Sequence, residues 1–257
     1  MKIYSWNMLH RNRELDRAFE FIRHADFDIF CLQEVPEAFL ARLQTLPCSL
    51  ASGVDAEKTF PSETVPMYNV VLSKHPITAQ NGIPFADYWQ LLPLYVRIFT
   101  RLMRPFSFSK MSNRGGLYAD VMVNGVSLRV FCLHLMLAHP ALRLKEFERA
   151  MLEHNKTRPT IVCGDFNILE KPHITPLNWL MGGRVTDILL YGRERLTLER
   201  RFVEHELHNP LRNKVTHPLS QSQLDHILVS HVFSIRNAEV LRDRIGSDHH
   251  PIHVEIA

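Results

Sequence analysis

GLYADVMVNGVSLRVFCLHL, residues 116–135, joins two runs rich in β-formers through Asn124-Gly125. Asn-Gly is the favoured pair for a two-residue type I′ turn, so the stretch predicts an antiparallel hairpin ending at His134. The next strand-like run, TIVCGDFN (160–167), is shorter and apolar over 161–163, before Gly164, Asp165 and Asn167. Between them, Leu144, Phe147, Ala150 and Met151 recur at helical spacing over 140–154. Outward from this centre, KIYSWNML, DIFCLQE (28–34), YNVVLSK (68–74), LDHILVS (224–230), FSIRNAEVL and PIHVEIA read as further strands. Helices are expected over about 12–24 and over PEAFLARLQTL, with Pro36 in its first turn. Strands outnumber helices, and helices interrupt them in the first two-thirds. The pattern suits an α/β sandwich of two packed, mostly antiparallel sheets with helices outside. The stretch 184–222 is charged and without clear period.

The 257 residues suit one large domain, are 46% hydrophobic and 22% charged, and carry a net charge of +3. That balance excludes a disordered chain and fits a polyanionic partner without requiring one. Cys31, Cys48, Cys132 and Cys163 show no CxxC spacing and three lie in apolar runs. They read as reduced, buried thiols, and with an N-terminus lacking an apolar leader they point to a cytoplasmic protein. No apolar run approaches the roughly 20 residues that span a bilayer. No HExxH or comparable spacing marks a zinc site among the 15 histidines.

Polar residues gather at strand ends. Asn7 ends KIYSWN, Glu34 ends DIFCLQE, His134 ends VFCLH, and Asp165 and Asn167 follow TIVCG. Asp225 opens a strand instead, and Asp248 and His249 occupy the turn GSDHHP. Strands ending at one rim pool such groups in one pocket. If GDFN stays extended, Asp165 and Asn167 point the same way and Phe166 points opposite. The pair is then aimed at something polar, a reacting phosphate and its attacking water.

NML at 7–9, CLQEV, LHL, GDFN, QLDHILVS and GSDHHP, in this order, resemble the endonuclease/exonuclease/phosphatase superfamily, which has the deoxyribonuclease I-like fold. The resemblance runs from Asn7 to His249. It implies a four-layer α/β sandwich, a single domain over 1–257, and a divalent-metal hydrolase of phosphate esters. Mg²⁺ (or Mn²⁺) takes oxygen ligands, and one or two carboxylates suffice. Glu34 is the first expected metal ligand, with Asn7 and Asp248 next. His249 would face a scissile phosphate oxygen, and Asp225 matches the position that fixes its tautomer. Asp165 would orient or deprotonate water. Asn167 would donate to the phosphate or hold Asp165. His134 matches a position filled by His or Tyr in the family and would stabilise phosphate charge.

Other residues are read more plainly. His205, His208 and His217 are expected on loops or the surface, His250 turned away, and Arg114 on the surface although within reach of a phosphate. RERLTLERRF (193–202) reads as a solvated face. In 87–108, Leu94, Tyr95, Ile98, Leu102 and Phe106 follow helical spacing with Arg97, Arg101 and Arg104 on another side. The plain reading packs this helix on the domain; the alternatives are a membrane surface or a nucleic-acid backbone. Nucleic acid is favoured as substrate over lipid or inositol phosphates, the protein is expected as a monomer, and an inactive binding module on the same fold is the remaining class.

Overall fold

Ile29, Phe30, Cys31 and Leu32 are all fully buried, so this strand is covered on both faces. Successive side chains alternate, and the alternation divides the run between two cores. Ile29 and Cys31 join one apolar cluster with Ile161, Cys163 and Val130. Phe30 and Leu32 join another with Ala18, Ile22, Phe39 and Leu43. The computed structural model describes residues 1–59, 63–103, 110–137 and 139–257.

The strands are β1 (Lys2–Asn7), β2 (Ile29–Pro36), β3 (Ser49–Thr59), β4 (Thr64–Ser73), β5 (Ile77–Pro84), β6 (Lys110–Ser112), β7 (Gly115–Val123), β8 (Val126–His134), β9 (Thr160–Asp165), β10 (Leu207–His208), β11 (Asp225–Ser230), β12 (Ile235–Val240) and β13 (Ile252–Ile256). One sheet runs β12-β13-β1-β2-β4-β3-β6 and the other β10-β11-β9-β8-β7-β5. The first core lies between them. Helices α1 (Leu15–His24) and α2 (Glu37–Leu43) cover the outer face of the first sheet through the Phe30 cluster. Helices α5 (Pro140–Met151) and α8 (Arg193–Glu204) cover the second, where Phe131, Val162 and Phe166 meet Phe147, Leu198 and Phe202. This is the expected four-layer α/β sandwich. Between α4 (Leu94–Met103) and α8 lie the short helices α6 (Pro176–Leu180) and α7 (Thr186–Leu189), and α3 (Tyr88–Leu91) precedes α4.

Among the described residues, only β1/β2 and β8/β9 pair in parallel, each joined by a crossover helix, α1 or α5. Their C-terminal ends therefore share one rim. The register then decides which side chains meet: His134 pairs with Asp165, Asp165 with Asp225, and Asn7 with Gln33. The hairpin turn is as read, with Asn124 and Gly125 both at positive φ.

Two readings need correction. Arg193–Glu204 is not a solvated face, because α8 buries Arg195, Leu198 and Phe202. Glu194 also turns inward, against fully buried Arg143 at 2.6 and 2.7 Å. Pro36 stands before α2 rather than in its first turn, and closes β2.

Gly164 has φ +145°, and a Cβ there would sit 1.8 Å from the Leu133 carbonyl oxygen. No side chain fits where β9 passes β8. Gly164→Ala should therefore cost at least about 2 kcal/mol, seen as a lower urea midpoint, because strain and overlap add. An unchanged midpoint would contradict this packing of β9 on β8.

Candidate active site

The strand ends at the shared rim open into a cleft of about 290 Å³. Among its lining residues are Asn7, Glu34, His134, Asp165, Asn167, Asp248 and His249. Asp225 lies just behind His249.

Asp165 is at the centre. Its Oδ2 accepts a 3.0 Å hydrogen bond from Asn7 Nδ2 and lies 3.7 Å from the Nε2 atoms of both His134 and His249. Each imidazole is held from behind at Nδ1. His249 is 2.8 Å from Asp225 Oδ2, and His134 is 2.8 Å from Asp55 Oδ2. Burial alone would lower both imidazole pKa values. The charges of Asp55, Asp165 and Glu34 override it at His134 and push it up to about 9. Asp225, Asp165 and Asp248 do the same at His249, which rises to about 10. Both rings are cations at neutral pH. Burial raises the Asp165 carboxyl above its ordinary value and the Asp225 charge adds to this, against His249, His134 and Asn7.

Glu34 arrives by a different device. β2 bulges between Leu32 and Val35, and Glu34 takes φ +55°. A bulge re-aims a side chain, here into the cleft, and the left-handed backbone costs roughly 1–2 kcal/mol. Glu34 Oε2 accepts from the His10 amide at 3.2 Å and Lys58 Nζ at 3.3 Å, and contacts His10 Nδ1 at 2.8 Å. Oε1 is left facing the cleft, 3.5 Å from Asn7 Nδ2 and 3.9 Å from His134 Nε2. Burial opposes ionisation, but Lys58, His10 and His134 outweigh it and hold this carboxyl well below the usual range. Asp248 sits at the exposed edge, 4.0 Å from His249 Nε2 and 3.7 Å from His217 Nε2. Burial raises its pKa, but His217 and His249 outweigh that and lower it.

The structure brings all eight expected residues to one place, with two changes of geometry. β9 ends at Asp165, and Asn167 adopts φ +53° instead of continuing the strand. The Asn167 amide donates to Asp165 Oδ1 at 2.8 Å and its Nδ2 to the Leu135 carbonyl at 2.9 Å. The acid and the amide are thus linked by a local turn, not by strand alternation. Phe166 does face the other way, stacked 4.6 Å from His226. Asn7 shows its N–H groups to the carboxylates, while its Oδ1 accepts from the Leu9 amide at 3.1 Å. In this geometry it holds carboxylates together rather than offering a ligand oxygen.

Several residues were missed or misread. Asp55 lies in β3, where the ladder bulges between Val54 and Ala56. An acid among small residues was the available signal, but the strand itself has too little pattern to show that Asp55 points inward. His217 lies in the unpatterned stretch, yet it lines the cleft beside Asp248. Arg114 is buried, not a surface residue; its Nη2 donates to the His134 carbonyl at 2.9 Å and to Glu146 at 3.0 Å. His250 does turn away, to the Leu241 carbonyl. Among the described residues, two sets are spaced to share one cation: His217, Asp248 and His249, and Asp165, Asp225 and His249.

A family model described as Endonuclease/Exonuclease/phosphatase family matches residues 4–249. The chain belongs to this family. A family protein from Beutenbergia cavernae superposes with a TM-score of 0.68 at 17% identity, over 100% of this chain and 71% of that one. The Neisseria 3′ phosphatase NExo, solved bound to a product DNA hairpin, gives 0.60 at 17% identity over 100% and 99%. A mannosyl-6-phosphatase from Bacteroides thetaiotaomicron gives 0.60 at 16% identity over 100% and 99%. At these identities the likeness is one of fold. No curated protein matches the sequence.

The two raised histidines carry a pH signature. Their ordinary value is 6.5, so the ion pairs stabilise the fold fully below about pH 6.5. That stabilisation fades as pH rises through about 9 for His134 and about 10 for His249. Imidazole ¹⁵N shifts of the metal-free protein should show both rings protonated at pH 8, and Asp225→Asn should lower the His249 midpoint. A neutral His249 at pH 7 would contradict the pairing.

Proposed function

We propose that this phosphoesterase-fold chain is a divalent-cation-dependent hydrolase of phosphate esters that attacks its substrate directly with water. The observation that supports it most is the position of Asp165 between two cationic imidazoles in an open cleft. A phosphate anion meets positive charge there from His134 and His249. Asp165, its pKa raised, takes a proton from water as the oxygen–phosphorus bond forms, and the ester bond breaks as its departing oxygen takes a proton from one of the two imidazolium rings. Asn167 and Asn7 hold Asp165 in orientation. Asp225 and Asp55 hold the two rings.

The Glu34 carboxylate fits a hard cation such as Mg²⁺ or Mn²⁺, because it is kept ionised and its Oε1 faces the cleft with a single long 3.5 Å contact from Asn7 Nδ2. Glu34 would hold the cation with Asp248, and Asn7 would join only by turning its amide over. When bound, the cation neutralises phosphate charge and polarises the phosphoryl oxygen. The complete set of acids and histidines speaks against an inactive binding module.

Nucleic acid is the first substrate class, on the DNA-bound Neisseria phosphatase and on the basic residues Arg97 and Arg101 of α4. Arg104 and Phe106 lie outside the described residues. A second reading, a lipid or inositol phosphate, is favoured by α4, whose Leu94 and Leu102 are 65% and 69% exposed rather than packed on the domain. On either reading the chain works as one domain over 1–257, as a monomer and in the cytoplasm. No described helix is long and apolar enough to cross a membrane.

EDTA should abolish hydrolysis, and Glu34→Gln should weaken metal binding in a titration while leaving the fold intact. An unchanged titration would remove Glu34 from the site. Asp165→Asn and His249→Ala should each lower kcat by about 100-fold or more. Asp225→Asn should cost less, and the Asp225→Asn, His249→Ala double variant should be no worse than His249→Ala alone. Additive losses would give Asp225 a separate role.

A further inference from the structure

Exposed large apolar side chains are scattered singly on most proteins, and a concentration of them marks a contact surface. Here eleven of the nineteen among the described residues fall within 91–102 and 179–191. The two stretches adjoin: Tyr95 Oη donates to the Trp179 carbonyl at 3.3 Å, and Gly182 packs beside Leu92, Pro93 and Val96. α4 anchors itself by burying Val96 and turns Leu94, Ile98 and Leu102 outward. Trp179, Leu189 and Tyr191 extend the same apolar surface from α6 and α7, with exposures of 43%, 72% and 54%. The surface runs to the active-site mouth, because α6 also supplies Leu177 to the cleft wall.

Charge decides what this surface fits. Residues 88–103 and 171–193 hold Arg97, Arg101, Lys171, Arg184 and Arg193 against Asp187 alone, five positive charges and one negative, net +4. The whole chain is +3, so everything else sums to −1. Asp187 is itself engaged, accepting from the Arg184 amide at 2.7 Å. A second copy of the chain would set +4 against +4. A nucleic-acid backbone would satisfy the basic groups but leave the leucines in water. An anionic bilayer surface satisfies both, the apolar stripe entering the head-group boundary and the basic side chains reaching the lipid phosphates.

We propose that α4 with the α6–α7 segment is a docking face for an anionic phospholipid surface, which sets the cleft mouth against lipid head groups. The proposal rests on the lipid-phosphate reading of the substrate above. α4 is ten residues, so the contact lies in the interface plane and does not span.

Co-sedimentation with phosphatidylcholine vesicles, with and without phosphatidylserine, tests it alongside hydrolysis of soluble bis(p-nitrophenyl) phosphate. Wild-type protein should sediment with the anionic vesicles, and salt should release it. The Leu94→Asp, Ile98→Asp variant should lose sedimentation at least about tenfold. Arg101→Gln and Arg184→Gln should each lower it about fivefold. Both sets should cleave the soluble diester at the wild-type rate, since none of these side chains reaches the cleft. Wild-type protein that ignores anionic vesicles, or binding that survives Leu94→Asp, Ile98→Asp, would overturn the docking face. So would a dimer, seen by light scattering, that the same change dissociates. Vesicle binding without any diester hydrolysis would support the docking face and count against the hydrolase reading instead.

Discussion

One carboxylate oxygen organises this protein. Asp165 Oδ2 accepts from Asn7 and stands 3.7 Å from two imidazole Nε2 atoms, one on β8 and one in the turn before β13. A buried carboxylate is tolerated only when it is paired and hydrogen-bonded. Here the compensation is shared: the two rings are cations because Asp55 and Asp225 stand behind them, and the rings in turn oppose the rise that burial imposes on the Asp165 carboxyl. Removing one acid therefore changes the proton balance of its neighbours. Bringing these acids and imidazoles together from separate elements is a requirement that falls on the fold.

The sandwich meets it through register. Two parallel strand pairs end at a common rim, so His134, Asp165 and Asp225 are lined up by backbone hydrogen bonding before any side chain is chosen. Two bulges finish the site, one in β2 turning Glu34 inward and one in β3 at Asp55. They touch, the Glu34 amide lying 3.3 Å from Asp55 Oδ2. Glu34 and Asn167 both hold left-handed backbone, strain that the surrounding ladders impose and that concentrates at the site.

The sheets were legible because their strands are short apolar runs with strong turn punctuation, Asn124-Gly125 above all. Asn7, Glu34, His134 and Asp165 were legible because they end such runs, and the order of the motifs identified the family. Asp55, Lys58 and His217 were not. β3 is a long strand with few apolar residues, and bulges have no sequence period, so nothing local says that Asp55 faces His134. His217 reaches the cleft through an irregular segment that no periodicity describes. Arg114 and Glu194 look like surface charges because a single sequence does not show that each finds a buried partner. α4 was read as amphipathic with its partner left open; Leu94, Ile98 and Leu102 are exposed, which spacing could not tell, because it shows which face is apolar and not whether the domain covers it.

The central claim is that Asp165 serves both imidazoles at once, and replacing its charge tests it directly. In metal-free Asp165→Asn, the ¹⁵N titration midpoints of His134 and His249 should both fall, because the Asp165 charge helps to raise each of them. A fall at only one ring, or at neither, would mean that the two histidines do not share this carboxylate, and the account of the site would be wrong.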